Sequence, residues 1–310
     1  MSIQSTYEAL NNFDICTSLV NRGHFATVCF ARHRITGINV ALKQVELSRM
    51  TDKKAIDDCK REVFLLQQLD HPNIIKYISH FIDNNDLYIV LELASAGDLS
   101  KMFRSFRKNN KLLNEKTIWK FFCQITCGLE YMHSKRIMHR DIKPANIFIK
   151  KDGSVKLGDL GLSRYFDSKT ILVYSNVGTP YYMAPERIDG QDQGYNFQSD
   201  IWSLACILYE MVVLRSPFYE INLDLPSLQR KILTLDYEPL STQLYSTNLH
   251  SIINQCLVLN PEQRLPINDI NNIAKTMNTR FLTQTTNNIP VPISSSSNSS
   301  IIDDDTSDYN

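Results

Sequence analysis

The feature that most constrains this chain is a change of hydrophobic period near residue 97. Before it, short apolar runs bounded by polar or turn residues (CTSLV, TVCFAR, INVALKQV, KYISHF, LYIVLEL) read as strands. One helix interrupts them: in KKAIDDCKREVFLLQQL, Ile56, Cys59, Val63 and Leu66 return at steps of three and four and form one apolar stripe. After Gly97 long amphipathic helices take over. The clearest is EKTIWKFFCQITCGLEYMHS, where Ile118, Phe122, Ile125, Leu129 and Met132 share a face. A strand-rich lobe therefore precedes a helix-rich one, an α+β arrangement, and LELASAGDL is the join, because small residues and Gly97 follow the last strand.

The 310 residues, 43% of them hydrophobic, suffice for one large domain or two small ones sharing a cleft. Residues 13–281 carry the periodic pattern, divided into lobes at 13–93 and 97–281, with 1–12 as an N-terminal extension. Residues 282–310 are rich in Thr, Asn and Ser and too poor in aromatic and branched apolar residues to fold alone, so a disordered tail is expected. The 33 basic and 33 acidic residues cancel, so no summed charge draws the chain to nucleic acid or an anionic membrane. The apolar run at 201–214 is too short to span a bilayer and contains Glu210, which fits a buried core helix. Seven scattered cysteines without a C-x-x-C pair, and a start lacking a basic and apolar leader, point to reduced thiols in the cytoplasm.

The segment MHRDIKPANIFI places a carboxylate, Asp141, five residues before an amide, Asn146. Phosphoryl transfer needs a base or orienting group at the attacking hydroxyl and oxygen ligands for metal ions, and these two side chains supply them. Lys143 between them is placed to offset charge developing in the transition state. Downstream, KLGDLGLSR sets Asp159 at a turn made by Gly161, a hard oxygen ligand suited to Mg²⁺. Upstream, VALK puts Lys43 on a strand with Ala41 on the same side, and Glu62 on the following helix is placed to pair with it.

The ordered set VALK, Glu62, HRDIKPAN, DLG and APE resembles the motifs of eukaryotic protein kinases, and KPAN resembles the serine/threonine rather than the tyrosine class. LELASAGDLS, VGTPYYMAPERI and YNFQSDIWSLACILYEM are similar to the NIMA-related kinases, above all their short subgroup. The resemblance implies a bilobal kinase fold, ATP and Mg²⁺ as cofactors, and protein substrates with Ser or Thr acceptors. The APE and GTPYY segments resemble a peptide-docking surface. It also implies that Glu186 pairs with Arg264, that Asp200 braces the catalytic loop, that Leu91 is the gatekeeper, and that Glu92 and Ala94 offer backbone groups to adenine. Asp98 is expected at the ribose, with Val20, Gly23, Val28 and Ala41 among the nucleotide contacts.

The chain departs from the family at the phosphate-covering loop, where G-x-G-x-x-G-x-V is replaced by Asn21, Arg22, Gly23, His24, Phe25, Ala26, Thr27 and Val28. Only the middle glycine remains, and Asn21 is expected to take over a left-handed position. The alternative reading is a nucleotide-binding, catalytically weak scaffold. Regulation is expected at Ser175, whose phosphate would bond Arg140, and at Tyr77, whose ring is expected to turn into the cleft and hold an inactive state. The resemblance further implies activation by a longer NIMA-related kinase and work in mitosis, at the spindle, centrosome or nucleus.

Overall fold

A computed structural model of the chain describes residues 6–22, 26–49, 53–159, 180–188, 195–241 and 245–286. The first lobe is a five-stranded antiparallel sheet of β1 (Phe13–Arg22), β2 (Ala26–His33), β3 (Asn39–Val45), β4 (Tyr77–Asp83) and β5 (Asp86–Glu92). Their order across the sheet is β1-β2-β3-β5-β4. Alternation sorts the two faces: Val40, Leu42, Tyr88 and Val90 point to one side, Val45, Leu87 and Ile89 to the other. Asn84 and Asn85, both at positive φ (47° and 64°), make the tight turn from β4 to β5.

Helix α1 (Lys53–Gln67) lays Cys59, Val63 and Leu66 on the inner face, the stripe expected from its spacing. The outer face is closed by the chain's own start. Tyr7 is buried and stacks on His33 with centroids 3.9 Å apart. The His33 Nε2–H donates to the Thr6 carbonyl (2.9 Å), and its Nδ1 lies 2.8 Å from the Thr36 hydroxyl. The boundary expected at residue 13 thus leaves out a segment that belongs to the sheet's packing, because an open sheet with aromatic residues on both faces needs a cover on each.

The second lobe is built on α3 (Glu115–Ser134) and α4 (Phe197–Val213), preceded by α2 (Leu99–Lys108) and followed by α5 (Leu225–Leu233), α6 (Thr247–Cys256) and α7 (Ile267–Thr286). Ile118, Phe122, Ile125, Leu129 and Met132 on α3 are all fully buried, as their shared face requires. Helix α4 is the apolar run read as a core helix, and it starts from a capping box between Asn196 and Ser199. Helix α7 continues past the Phe281 boundary to Thr286. No Gly or Pro stops it there, and Thr283 bonds back to the Thr279 and Arg280 carbonyls.

A short hairpin, β6 (Ile147–Ile149) and β7 (Val155–Leu157), links the lobes. Ile75 donates to the Leu157 carbonyl (2.7 Å) and Leu157 to the Asn73 carbonyl (2.8 Å), so the segment before β4 is clipped to β7. Helix α3 passes close beneath: a Cβ on Gly128 would lie 2.9 Å from the Asn73 carbonyl oxygen and 3.0 Å from Leu157 Cδ1. Gly128→Ala is therefore expected to lower unfolding stability by about 1–3 kcal/mol in urea melts, despite alanine's better helix propensity. An unchanged or raised midpoint would contradict that close approach.

Candidate active site

The loop between α3 and β6 carries Asp141, and its backbone is held from below by one carboxylate. Asp200, fully buried on α4, accepts the His139 N–H at Oδ2 and the Arg140 N–H at Oδ1, each at 2.9 Å. His133 Nε2 donates to Oδ2 (2.9 Å) and the Tyr195 hydroxyl to Oδ1. Burial alone would raise the carboxyl's pKa, but these donors, with His133 foremost, hold it below its ordinary value. Arg140 sits at φ 69°, a left-handed conformation that a non-glycine residue keeps only when its surroundings impose it.

That turn delivers Asp141 to the cleft. Lys143 Nζ lies 2.8 Å from Asp141 Oδ2, and Asn146 Nδ2 donates to the same oxygen (2.7 Å) and to the Asp141 carbonyl (2.8 Å). The amide is thereby turned with its Oδ1 away from Asp141. The Gly158 N–H donates to the Asn146 carbonyl (3.0 Å), which sets Asp159 beside this cluster. A Cβ on Gly158 would meet Phe148 Cε2 at 2.7 Å and Ile75 Cγ1 at 2.8 Å, so the residue before Asp159 has no room for a side chain. Asp159 itself is at φ 57° and forms an ion pair with Lys43 from β3. The ammonium, more strongly than burial opposes it, keeps the Asp159 carboxyl below its ordinary pKa.

With this geometry in view, a family model described as a protein kinase domain matches residues 17–274. The chain belongs to the protein kinase family. Among curated proteins it is 39% identical over 254 residues to the probable serine/threonine-protein kinase nek3 of Dictyostelium discoideum, covering 81% of this chain and 22% of that one. It is 37% identical over 251 residues to mouse Nek1 (81% and 20%) and 36% identical over 262 residues to human Nek5 (84% and 36%). This kinase chain thus spans between a fifth and a little over a third of the length of these relatives.

The donor set fits the metal that the kinase family uses. Asp159 supplies a carboxylate and Asn146 an amide oxygen, two hard ligands of the kind Mg²⁺ takes while keeping water and phosphate oxygens in its other positions. Lys43 is 7% exposed and, with Leu66, Ile75, Ile89, Leu91 and Gly158, walls a cavity of about 20 Å³ behind the ion pair. Leu91, expected as the gatekeeper, lies in the wall of this cavity. Val28 and Ala41 lie on adjacent strands, paired with Lys43 and Leu91 respectively.

Other expected residues of the kinase fall elsewhere. Asn21 is not a left-handed loop residue: it lies in β1 opposite Val28, because the strand pairing continues through Arg22. Asp98 Oδ1 caps α2 by accepting the Lys101 N–H (2.8 Å), and its Oδ2 lies 3.4 Å from Lys101 Nζ. Tyr77 does not project into the cavity beside Lys43. Gln67 donates to its hydroxyl (3.1 Å), which is also hydrogen-bonded to His80 Nδ1 (2.6 Å), and an inward turn would break both bonds. Gly23, Gly161 and Ser175 lie outside the described residues, as do the side chains of Val20 and Glu62, although Glu62 is placed on α1. The partner described for Lys43 is Asp159.

Partners that sequence reasoning did not single out, among them Lys150, Lys156 and Ser199, complete the frame around residues that it did. The Glu92 carboxylate, at the join expected to offer only backbone groups, meets Lys156 (2.7 Å) and Lys150 (3.2 Å) of the hairpin, while its N–H donates to Lys76. Ala94 follows it in the linker, and the Ala96 N–H donates to the Ile149 carbonyl (3.0 Å). On the other side of the kinase, Arg264 binds Glu186 through Nη1 (2.9 Å) and Nη2 (2.8 Å), with both side chains nearly fully buried. The Ser199 hydroxyl adds a bond of 2.7 Å to Glu186. Tyr182 donates to the buried Glu210 of α4, and Ser203 to the Tyr182 carbonyl (2.8 Å), so the GTPYY end is sewn to the core helix.

Burial opposes ionisation of Glu186, yet Arg264 and Ser199 leave its pKa below the ordinary 4.5. A lowered folded value means the ion pair contributes stability above pH 4.5 and loses it as pH falls through the folded value. The urea midpoint is therefore expected to fall with acidification below that pH, and to fall less steeply in Glu186→Gln, which has no carboxyl to protonate. Parallel curves would remove this pair as a source of acid sensitivity.

Proposed function

We propose that this chain is a serine/threonine protein kinase that transfers the γ-phosphoryl group of ATP to Ser and Thr hydroxyls of proteins. The observation that carries the reading is the Asp141 carboxylate, held between Lys143 and Asn146 on a loop fixed by Asp200. Asp141 is the group that orients the acceptor hydroxyl and takes its proton. Lys143, in contact with Asp141, offsets the charge that builds on the phosphoryl oxygens as the bond to the leaving phosphate breaks. Asn146 and Asp159 would hold Mg²⁺, which would supply positive charge against the phosphates of ATP. Lys43 then exchanges the Asp159 carboxylate for phosphate oxygens, a trade of one anionic partner for another that leaves no buried charge unpaired.

Similarity to the NIMA-related kinases supports Ser/Thr selectivity, work in mitosis or on microtubules, and a cytoplasmic site with access to the spindle, centrosome or nucleus. The same similarity supports Ser175 as the residue phosphorylated by a longer relative, with Arg140 receiving the phosphate. The scaffold reading has no observation of its own, since every group needed for transfer is in the chain.

Incubation of the purified chain with labelled ATP, Mg²⁺ and casein is expected to label Ser and Thr, and Asp159→Ala to reduce labelling by about two orders of magnitude or more. Equal labelling by the two proteins would leave only the scaffold. Tyr195→Phe removes one of the four donors to Asp200 while keeping the ring under Arg187, whose guanidinium carbon lies 5.3 Å from its centroid. A fall in kcat of about tenfold with the KM for ATP little changed is expected. A rise in that KM with kcat intact would place Tyr195 outside catalytic-loop positioning.

A further inference from the structure

In the helical lobe, the end of α2, the end of α4 with the segment after it, and α5 with residues 236–241 enclose an open groove of about 950 Å³. Its walls are partly apolar: Leu112, Val213 and Tyr219 are exposed there. Three cations face it, Arg107, Lys111 and Arg215. A fourth, Lys231, is already neutralised by Asp236 (3.0 Å) and Glu220 (3.2 Å). Among the described residues no ion pair engages Lys111 or Arg215. Arg215 instead lies over the Tyr219 ring (5.6 Å), and Arg107 donates to the Leu214 carbonyl (2.7 Å). Two carboxylates also line it, Asp236, which is paired with Lys231, and Glu238, so the groove is preformed, carries an excess of cations on the side of Arg107, Lys111 and Arg215, and is lined by aromatic and aliphatic surface.

It is also continuous with the GTPYY segment. The Tyr219 ring meets Tyr181 at 5.7 Å, and the Ser216 hydroxyl donates to the Tyr181 carbonyl (3.4 Å). We propose that this groove docks an acidic segment of the acceptor protein, carrying apolar or aromatic residues between its carboxylates and remote from the hydroxyl that is phosphorylated. The proposal rests on the kinase reading above and narrows its substrate class. Carboxylates of the docked segment pair with Lys111 and Arg215, and its apolar side chains cover Leu112 and Val213. Docking of this kind raises the local concentration of the acceptor site without touching the chemistry, so it lowers KM and leaves kcat alone.

The test compares two acceptors, dephosphorylated casein, which is acidic, and a neutral Ser-containing heptapeptide. Arg215→Glu and Lys111→Glu, both at exposed positions, are expected to raise the KM for casein about tenfold, with kcat and the heptapeptide kinetics unchanged. Equal effects on both acceptors, or on neither, overturn the proposal. Should the wild type phosphorylate neither acceptor, the kinase reading fails and the groove is read by binding instead. A fluorescein-labelled peptide of alternating Glu, Asp, Leu and Tyr is then expected to bind the full chain in a salt-sensitive manner and to bind Arg215→Glu about tenfold more weakly. Absence of binding overturns the proposal. So does tighter binding after Asp303, Asp304 and Asp305 are all changed to Asn, because the occupant is then the chain's own acidic run.

Discussion

A single buried carboxylate carries the geometry of this protein. Asp200 is anchored in α4, the most apolar of the described helices, and its two oxygens gather backbone donors from the loop that holds Asp141, with side chains from α3 and from Tyr195 ahead of the α4 cap. Removing a carboxylate from water is unfavourable unless its lone pairs are filled, and here four donors fill them. The return is positional. A left-handed Arg140, unfavourable in an isolated peptide, becomes the only conformation that satisfies Asp200, and Asp141 follows from it.

Above this rigid floor the charges of the reaction centre are arranged in pairs that neutralise one another. Lys43 meets Asp159, Lys143 meets Asp141, and the cleft presents no bare charge from these four groups to a low-dielectric wall. Such pairing lets a phosphate-binding site stay folded between substrates, since each cation keeps an anion. The two lobes are held to a common hairpin through Asn73, Ile75 and the Glu92–Lys156 contact, so the strand lobe reaches the catalytic residues through a fixed strap.

Much of this was legible from periodicity. The α1 and α3 stripes and the α4 run are driven by burial of one face or of the whole helix, and burial writes itself into the order of apolar residues. Asp141, Lys143, Asn146 and Asp159 were legible because they lie close together in the chain and each has a distinctive chemical type, whereas Lys43, far upstream, was legible through the order of the motifs. Lys156 and the carboxylate of Glu92 were not, because they meet across a long sequence separation and leave no local pattern; Tyr195 was not, because one tyrosine ahead of a helix carries no signal of the carboxylate it binds. The cap that Asp98 makes on α2 was readable as well, since an acidic residue just before a helix is a favoured acceptor for its first free N–H groups. Asn21 followed the partner strand rather than its own preference for left-handed backbone.

The stack of Tyr7, His33, Phe13, Phe81 and Tyr88 across the outer sheet has a practical corollary. The region matched by the family begins at residue 17, inside β1 and beyond both Tyr7 and Phe13. A recombinant fragment trimmed to that limit would lose the first half of an edge strand together with its aromatic lid. It would present Phe81 and Tyr88 beside unpaired backbone on β2, a sticky template for self-association. Seven residues outside the homologous region, 6–12, thus help decide whether the catalytic lobes remain in solution as separate molecules.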